Sequence, residues 1–174
     1  MTRAVSLPFA LPTLDRAAWR AILVGGAVAT VAFDFFGRTL SPLLGGIVPT
    51  LGSKLAPVPL ATQVIGVVGG VEAAVANRLG LGHGLHVFAG LLAYPLGYAL
   101  FAEPLAARFA PRLPWLAVAA AYGVALWIFA LYFMATLVAG NPPFLGFTGI
   151  TWVALWGHIL FALVAAWFWR RRDG

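Results

Sequence analysis

The chain has 174 residues, 62% of them apolar, with 11 Lys or Arg against 5 Asp or Glu. At 9% charged residues it falls well short of the about 25% usual for a soluble domain, too few to cover a globule without the large apolar patches that monomers avoid. A water-soluble globule is excluded, and the absence of cysteine excludes disulfides, thiolate metal sites, iron–sulfur clusters and covalently attached haem.

The amino-terminal stretch Ser6 to Arg20 is broken by Pro8 and Pro12 before a short basic segment with Trp19. Arg16 and Arg20 ahead of an apolar run resemble a signal peptide, but the run continues to Phe36, so a retained first span is expected over about residues 19–37. It holds one ionisable group, Asp34. Leu79 to Ala102 is uncharged for 24 residues and predicts a second span over about 83–102. Leu113 to Trp169 is uncharged for 57 residues, enough for two spans of the roughly 20 residues a hydrocarbon core requires. Gly140, Asn141, Pro142 and Pro143 break it into spans of about 114–139 and 149–169. Backbone polar groups in lipid must bond internally, so the spans are helices.

Residues 38–82 are ambiguous, because Pro59 to Asn77 is apolar yet contains Gln63, Glu72 and four glycines. The positive-inside rule arbitrates. With four spans and a cytoplasmic N-terminus, Arg3, Arg16, Arg20, Arg108, Arg112, Arg170, Arg171 and Arg172 lie inside, against Arg38, Lys54 and Arg78 outside, eight to three. A fifth span would leave Arg3, Arg16, Arg20 and Arg78 inside and the other seven outside. The expected fold is therefore a single all-α transmembrane domain over 1–174. It is a four-helix bundle with both termini cytoplasmic and an extra re-entrant or interfacial helix on the outer face. In that helix Thr62, Gly66, Gly70 and Ala74 form a small-residue ridge at i, i+4 spacing, suited either to filler or to close helix approach. Trp167, Trp169 and Arg170 to Arg172 form an aromatic and cationic collar for the lipid interface. The net charge of +6 belongs to membrane anchoring, not to nucleic acid. The use of 10 Arg to 1 Lys suggests a bacterial inner-membrane protein from a GC-rich genome.

Ionisable groups at membrane depth are functional candidates by default. At 1.5 Å per residue from the flanking cytoplasmic charges, Asp34, His158 and His86 lie about 21, 18 and 25 Å deep. Each sits on a ridge of small or polar residues, the face a membrane helix packs inward. The ridges are Gly26, Thr30, Asp34; then His86, Gly90, Tyr94, Tyr98; then Ala154, His158, Ala162, Ala166. The three groups are expected to converge, with Tyr94 and Tyr98 as companions and Tyr122 and Trp127 as further donors. His86 and His158 also open similar apolar octets, a faint sign of duplication.

Four readings of the cluster stay open. Asp34 and the histidines pair and fix helix register. His86 and His158 hold haem b, with Arg38 near a propionate, although the two rings are about 7 Å apart in depth. His83, His86 and His158, with Asp34, hold a Zn, Cu(II) or Fe ion, without an HExxH signature. Or the cluster is a proton or quinone-type site, with Asp34 and His158 exchanging a proton near the outer surface. Serine-nucleophile, paired-carboxylate and phosphate-loop patterns are missing from the sequence. At the level of the whole protein, the expectation is an accessory or anchor subunit of a respiratory or photosynthetic membrane complex, in contact with lipid and with other subunits or its own copies. The alternative is a stand-alone carrier or cofactor protein, binding a proton, metal, haem b or small ligand at the Asp/His cluster.

Overall fold

A computed structural model describes residues 12–40 and 59–172. The described residues are helical, without strands. Among the described residues, four helices are long and apolar enough to cross a membrane: α1 (Arg16–Thr39), α4 (Leu81–Phe109), α5 (Trp115–Val138) and α6 (Gly149–Arg170). Two short helices, α2 (Leu60–Gly69) and α3 (Ala73–Arg78), precede α4. We read the chain as a multi-pass membrane protein.

Local chemistry sets the helix ends. Asp15 caps α1, its side chain accepting from the Ala18 amide at 2.8 Å. Pro114 precedes α5 in extended conformation, where its missing N–H costs nothing. α4 runs past Ala102 to Phe109, because Glu103 finds partners on α6 and so is tolerated inside the helix. The expected single helix over 59–77 breaks in two. Gly70 adopts φ +63° and closes α2 in the left-handed conformation that glycine favours. The ridge from Thr62 to Ala74 is thereby interrupted. Thr62 is buried against Gly82 of α4, whereas Ala74 lies exposed on α3.

The long helices alternate in direction, and α6 packs against both α1 and α5 while α1 also packs against α4. Glycines set the distances. A Cβ on Gly123 of α5 would lie 2.6 Å from the Ile159 Cα of α6, and one on Gly25 of α1 would lie 2.7 Å from the Phe168 Cβ. α4 and α5 meet through Gly97 and Tyr122, and the Tyr122 hydroxyl donates to the Tyr94 carbonyl at 2.7 Å. Beyond that point α2 packs against both the start of α4 and the end of α5.

We call basal the end where α1 and α5 begin and α4 and α6 finish, and distal the opposite end. The basal core gathers Ala18, Ile22, Tyr98, Ala99, Ala119, Ala166 and Trp169. Trp169, expected at the lipid interface, is buried there at 3% exposure because its indole N–H reaches the Glu103 carboxylate. Arg170 joins the same carboxylate at 2.6 Å. Trp167 is exposed, with the Arg171 guanidinium 4.2 Å from its ring centroid.

Candidate functional site: a cavity at the distal end

The ridges of α1 and α4 mesh in antiparallel register. Gly26 meets the Leu91 carbonyl, Thr30 meets Gly90, and Asp34 meets His86. Pro95 lacks an N–H, so the Leu91 carbonyl has no amide four residues on to accept from, and Gly26 can lie against it. This register brings His86 Nε2 to 3.2 Å from Asp34 Oδ1. Both side chains remain a little over a third exposed.

His158 enters the same space from α6 and is buried to 6% exposure. Its Nδ1 lies 2.7 Å from the Ala154 carbonyl oxygen. Phe33 packs against both imidazoles, with ring centroids 5.0 Å from His158 and 6.0 Å from His86. Tyr94 adds a ring 6.3 Å from His158 and 5.8 Å from Phe161. Asp34, His86, His158 and Tyr94 all line one cavity of about 670 Å³, whose remaining wall is mostly apolar. At the distal end it is bordered by Leu60, Gln63 and Val64 of α2 and by Asn141 and Leu145 of the α5–α6 loop. Asn141 Nδ2 donates to Gln63 Oε1 at 2.8 Å, tying helix to loop. Phe88 of α4 and Phe129 of α5 line the cavity while remaining half-exposed.

Three wide, π-type stretches border the cavity: Phe36–Leu40, Ala89–Ala93 and Phe129–Val138. Such turns occur often at functional sites. The loop at the distal edge is also unusual, since Phe144, Leu145, Gly146 and Phe147 all have positive φ. Thr151 Oγ1 donates to the Phe144 carbonyl at 2.5 Å, and the Trp127 indole donates to the Thr151 carbonyl at 3.0 Å.

Other candidates lie elsewhere. Tyr98 is in the basal core, stacked edge-on against Tyr122 and outside the cavity wall. Trp127 and Tyr122 are engaged with backbone carbonyls and do not line it. His83 is exposed and outside the wall, so His83, His86 and His158 do not form one ligand set. Among the described residues no three His, Asp or Glu gather as a metal-holding group. Haem ligation through His86 Nε2 would take that nitrogen from Asp34. Arg38 does line the cavity. Sequence reasoning missed Phe33 and the Gln63–Asn141 tie. Gln63 carried a signal, as an amide in an apolar segment, but Asn141 read only as part of a Gly-Asn-Pro-Pro break.

The chain matches no family model, no curated protein and no solved structure. The chemistry of the cavity therefore rests on its own residues.

Proposed function

We propose that this is a stand-alone membrane protein that binds a small, largely apolar molecule in the distal cavity, reached from the bilayer between α4 and α5. The observation that carries the reading is the cavity itself. Its volume of about 670 Å³ lies within the roughly 300–1,000 Å³ of small-molecule sites, and a mostly apolar wall with a few convergent polar groups is their usual make-up. A bundle needing only register would pack those positions closed, as it does basally.

The arginine distribution supports an inner-membrane topology with both termini cytoplasmic, which puts the cavity in the outer half of the membrane. On that topology α2 is a re-entrant or interfacial helix on the outer face. The other reading, an accessory or anchor subunit of a respiratory or photosynthetic complex, draws on the exposed Phe129, Phe133, Trp152 and Trp156. Lipid would cover that surface equally well, whereas the cavity supports the ligand-binding reading.

The test is solvent extraction and mass spectrometry of protein purified in native-membrane nanodiscs, beside Ala130→Trp, which places an indole in the cavity wall. A small molecule in near-stoichiometric amount that disappears in Ala130→Trp, with helicity unchanged, is expected. A clean sample carrying a constant protein partner would favour the subunit.

A further inference from the structure

The polar groups lining the cavity can be sorted by where their hydrogens already go. The Thr30 hydroxyl donates to the Gly26 carbonyl at 2.7 Å. Asn141 Nδ2 donates to Gln63 Oε1 at 2.8 Å and to the Ala135 carbonyl at 3.1 Å, which engages both amide hydrogens. His86 Nε2 faces a carboxylate oxygen, so that nitrogen carries a hydrogen and donates it. His158 Nδ1 faces a carbonyl, which only accepts, so Nδ1 also carries a hydrogen. The neutral His158 ring then presents Nε2 as a bare lone pair.

Neither His158 Nε2 nor the second oxygen of Asp34 has a hydrogen-bond partner among the described residues. His158 is more than nine-tenths buried, and an acceptor that meets only the space of an apolar cavity, without a donor, is costly. The Tyr94 hydroxyl, which either donates or accepts, adapts to whatever it meets. The Arg38 guanidinium, exposed on the last turn of α1, supplies donors at the distal rim, whereas the deeper wall offers more acceptors than donors, framed by the rings of Phe33, Tyr94 and Phe161.

Resting on the reading of this cavity as a ligand site, we propose that its ligand is an apolar hydroxyl compound of the phenol, quinol or fatty-alcohol type. Its O–H donates to His158 Nε2. A second hydroxyl, where there is one, donates to Asp34. A carbonyl compound of the same shape would set lone pair against lone pair at His158 Nε2 and Asp34, leaving it only the Tyr94 hydroxyl and the rim guanidinium of Arg38 as donors, so it binds more weakly than the hydroxyl compound.

The experiment compares three probes of matched size: 4-octylphenol, its methyl ether, and 2-octyl-1,4-benzoquinone. Each is equilibrated with the full chain in nanodiscs and quantified against empty nanodiscs. The phenol should bind about tenfold more tightly than the ether or the quinone, the scale of one hydrogen bond in such a wall. His158→Phe keeps a ring and removes the acceptor, so it should abolish that preference and leave the ether's affinity unchanged. Asp34→Asn, which replaces a carboxylate oxygen with an amide donor, should raise the quinone's affinity relative to the phenol, and serves if the histidine variant does not fold. Equal binding of all three probes, unaltered by either variant, overturns the hydroxyl assignment while the cavity reading survives. Binding of none of them overturns the cavity reading, and the assignment with it.

Discussion

At the basal end a polar side chain meets its partner inside the bundle: Glu103 accepts from the Trp169 indole and from Arg170, and small residues close the space around them. The distal end keeps the same helices but holds them around a cavity, where His158 and Asp34 face inward with acceptor atoms left over. The Tyr98 hydroxyl is the basal exception, buried without a partner among the described residues. Membrane helices have no hydrophobic drive toward one another and rely on close packing. A protein that closes one end and leaves the other open has its stability in the first and, on the proposed function, its chemistry in the second.

The largest effect should come from overfilling the packed half. Gly123→Ala sets a Cβ 2.6 Å from backbone of α6, which a side-chain rotation cannot relieve. The expected loss is about 1–3 kcal/mol of stability, read as a lower midpoint in denaturant titration. An unchanged midpoint would mean that α5 and α6 are not apposed as described. Glu103→Ala comes next. It strands the buried Trp169 N–H, at about 1–3 kcal/mol, whereas Arg170→Ala removes a half-exposed partner and should cost under about 1 kcal/mol. Equal losses in the two variants would show that the ion pair, and not the indole, anchors the end.

The seam between α1 and α4 was legible, including the part that lines the cavity. Spacing of small residues put Gly26, Thr30 and Asp34 on one face and His86 and Gly90 on another, and those are the faces that mesh. Period and residue size are local properties, so a linear reading reaches them. The cavity depends on features other than helical period: π-type stretches, the placement of α2 against the start of α4 and the end of α5, and a left-handed loop. None of these leaves a periodic signature. Trp169 and Tyr98 show the limit from the other side. Tryptophan beside arginines reads as an interface anchor, and a tyrosine in register with His86 reads as its companion. The position of Glu103 relative to α6 carries Trp169 into the basal core, and Tyr98, 12 residues beyond His86, lies about 18 Å further along the helix, at the basal level.

The same contrast predicts that the polar residues of the cavity matter little to stability. Asp34→Asn leaves a hydrogen-bonding group beside His86, and the pair is over a third exposed, so the change should be under about 1 kcal/mol. Ligand retention should fall in the same sample. A large loss of stability in Asp34→Asn, with retention intact, would return the pair to a register device and leave the cavity to be explained by its apolar wall alone.

The smallest effect expected concerns the loop at the distal edge. Phe147 adopts φ +52° and is half-exposed, touching Phe144 and Trp152 through ring contacts. A non-glycine residue held there costs about 1–2 kcal/mol, and replacement by asparagine, which tolerates that conformation, recovers part of it. The lost ring contacts offset the gain, so Phe147→Asn should change the unfolding midpoint by less than about 1 kcal/mol in either direction. The informative comparison is with Gly84→Ala on α4, where a Cβ meets nothing within 4 Å and helix propensity alone should add up to about 1 kcal/mol. If Phe147→Asn stabilises as much as Gly84→Ala, the strain in the loop outweighs its aromatic contacts. The left-handed turn is then held against its own preference by Thr151 and Trp127, in keeping with strain stored beside the proposed binding site.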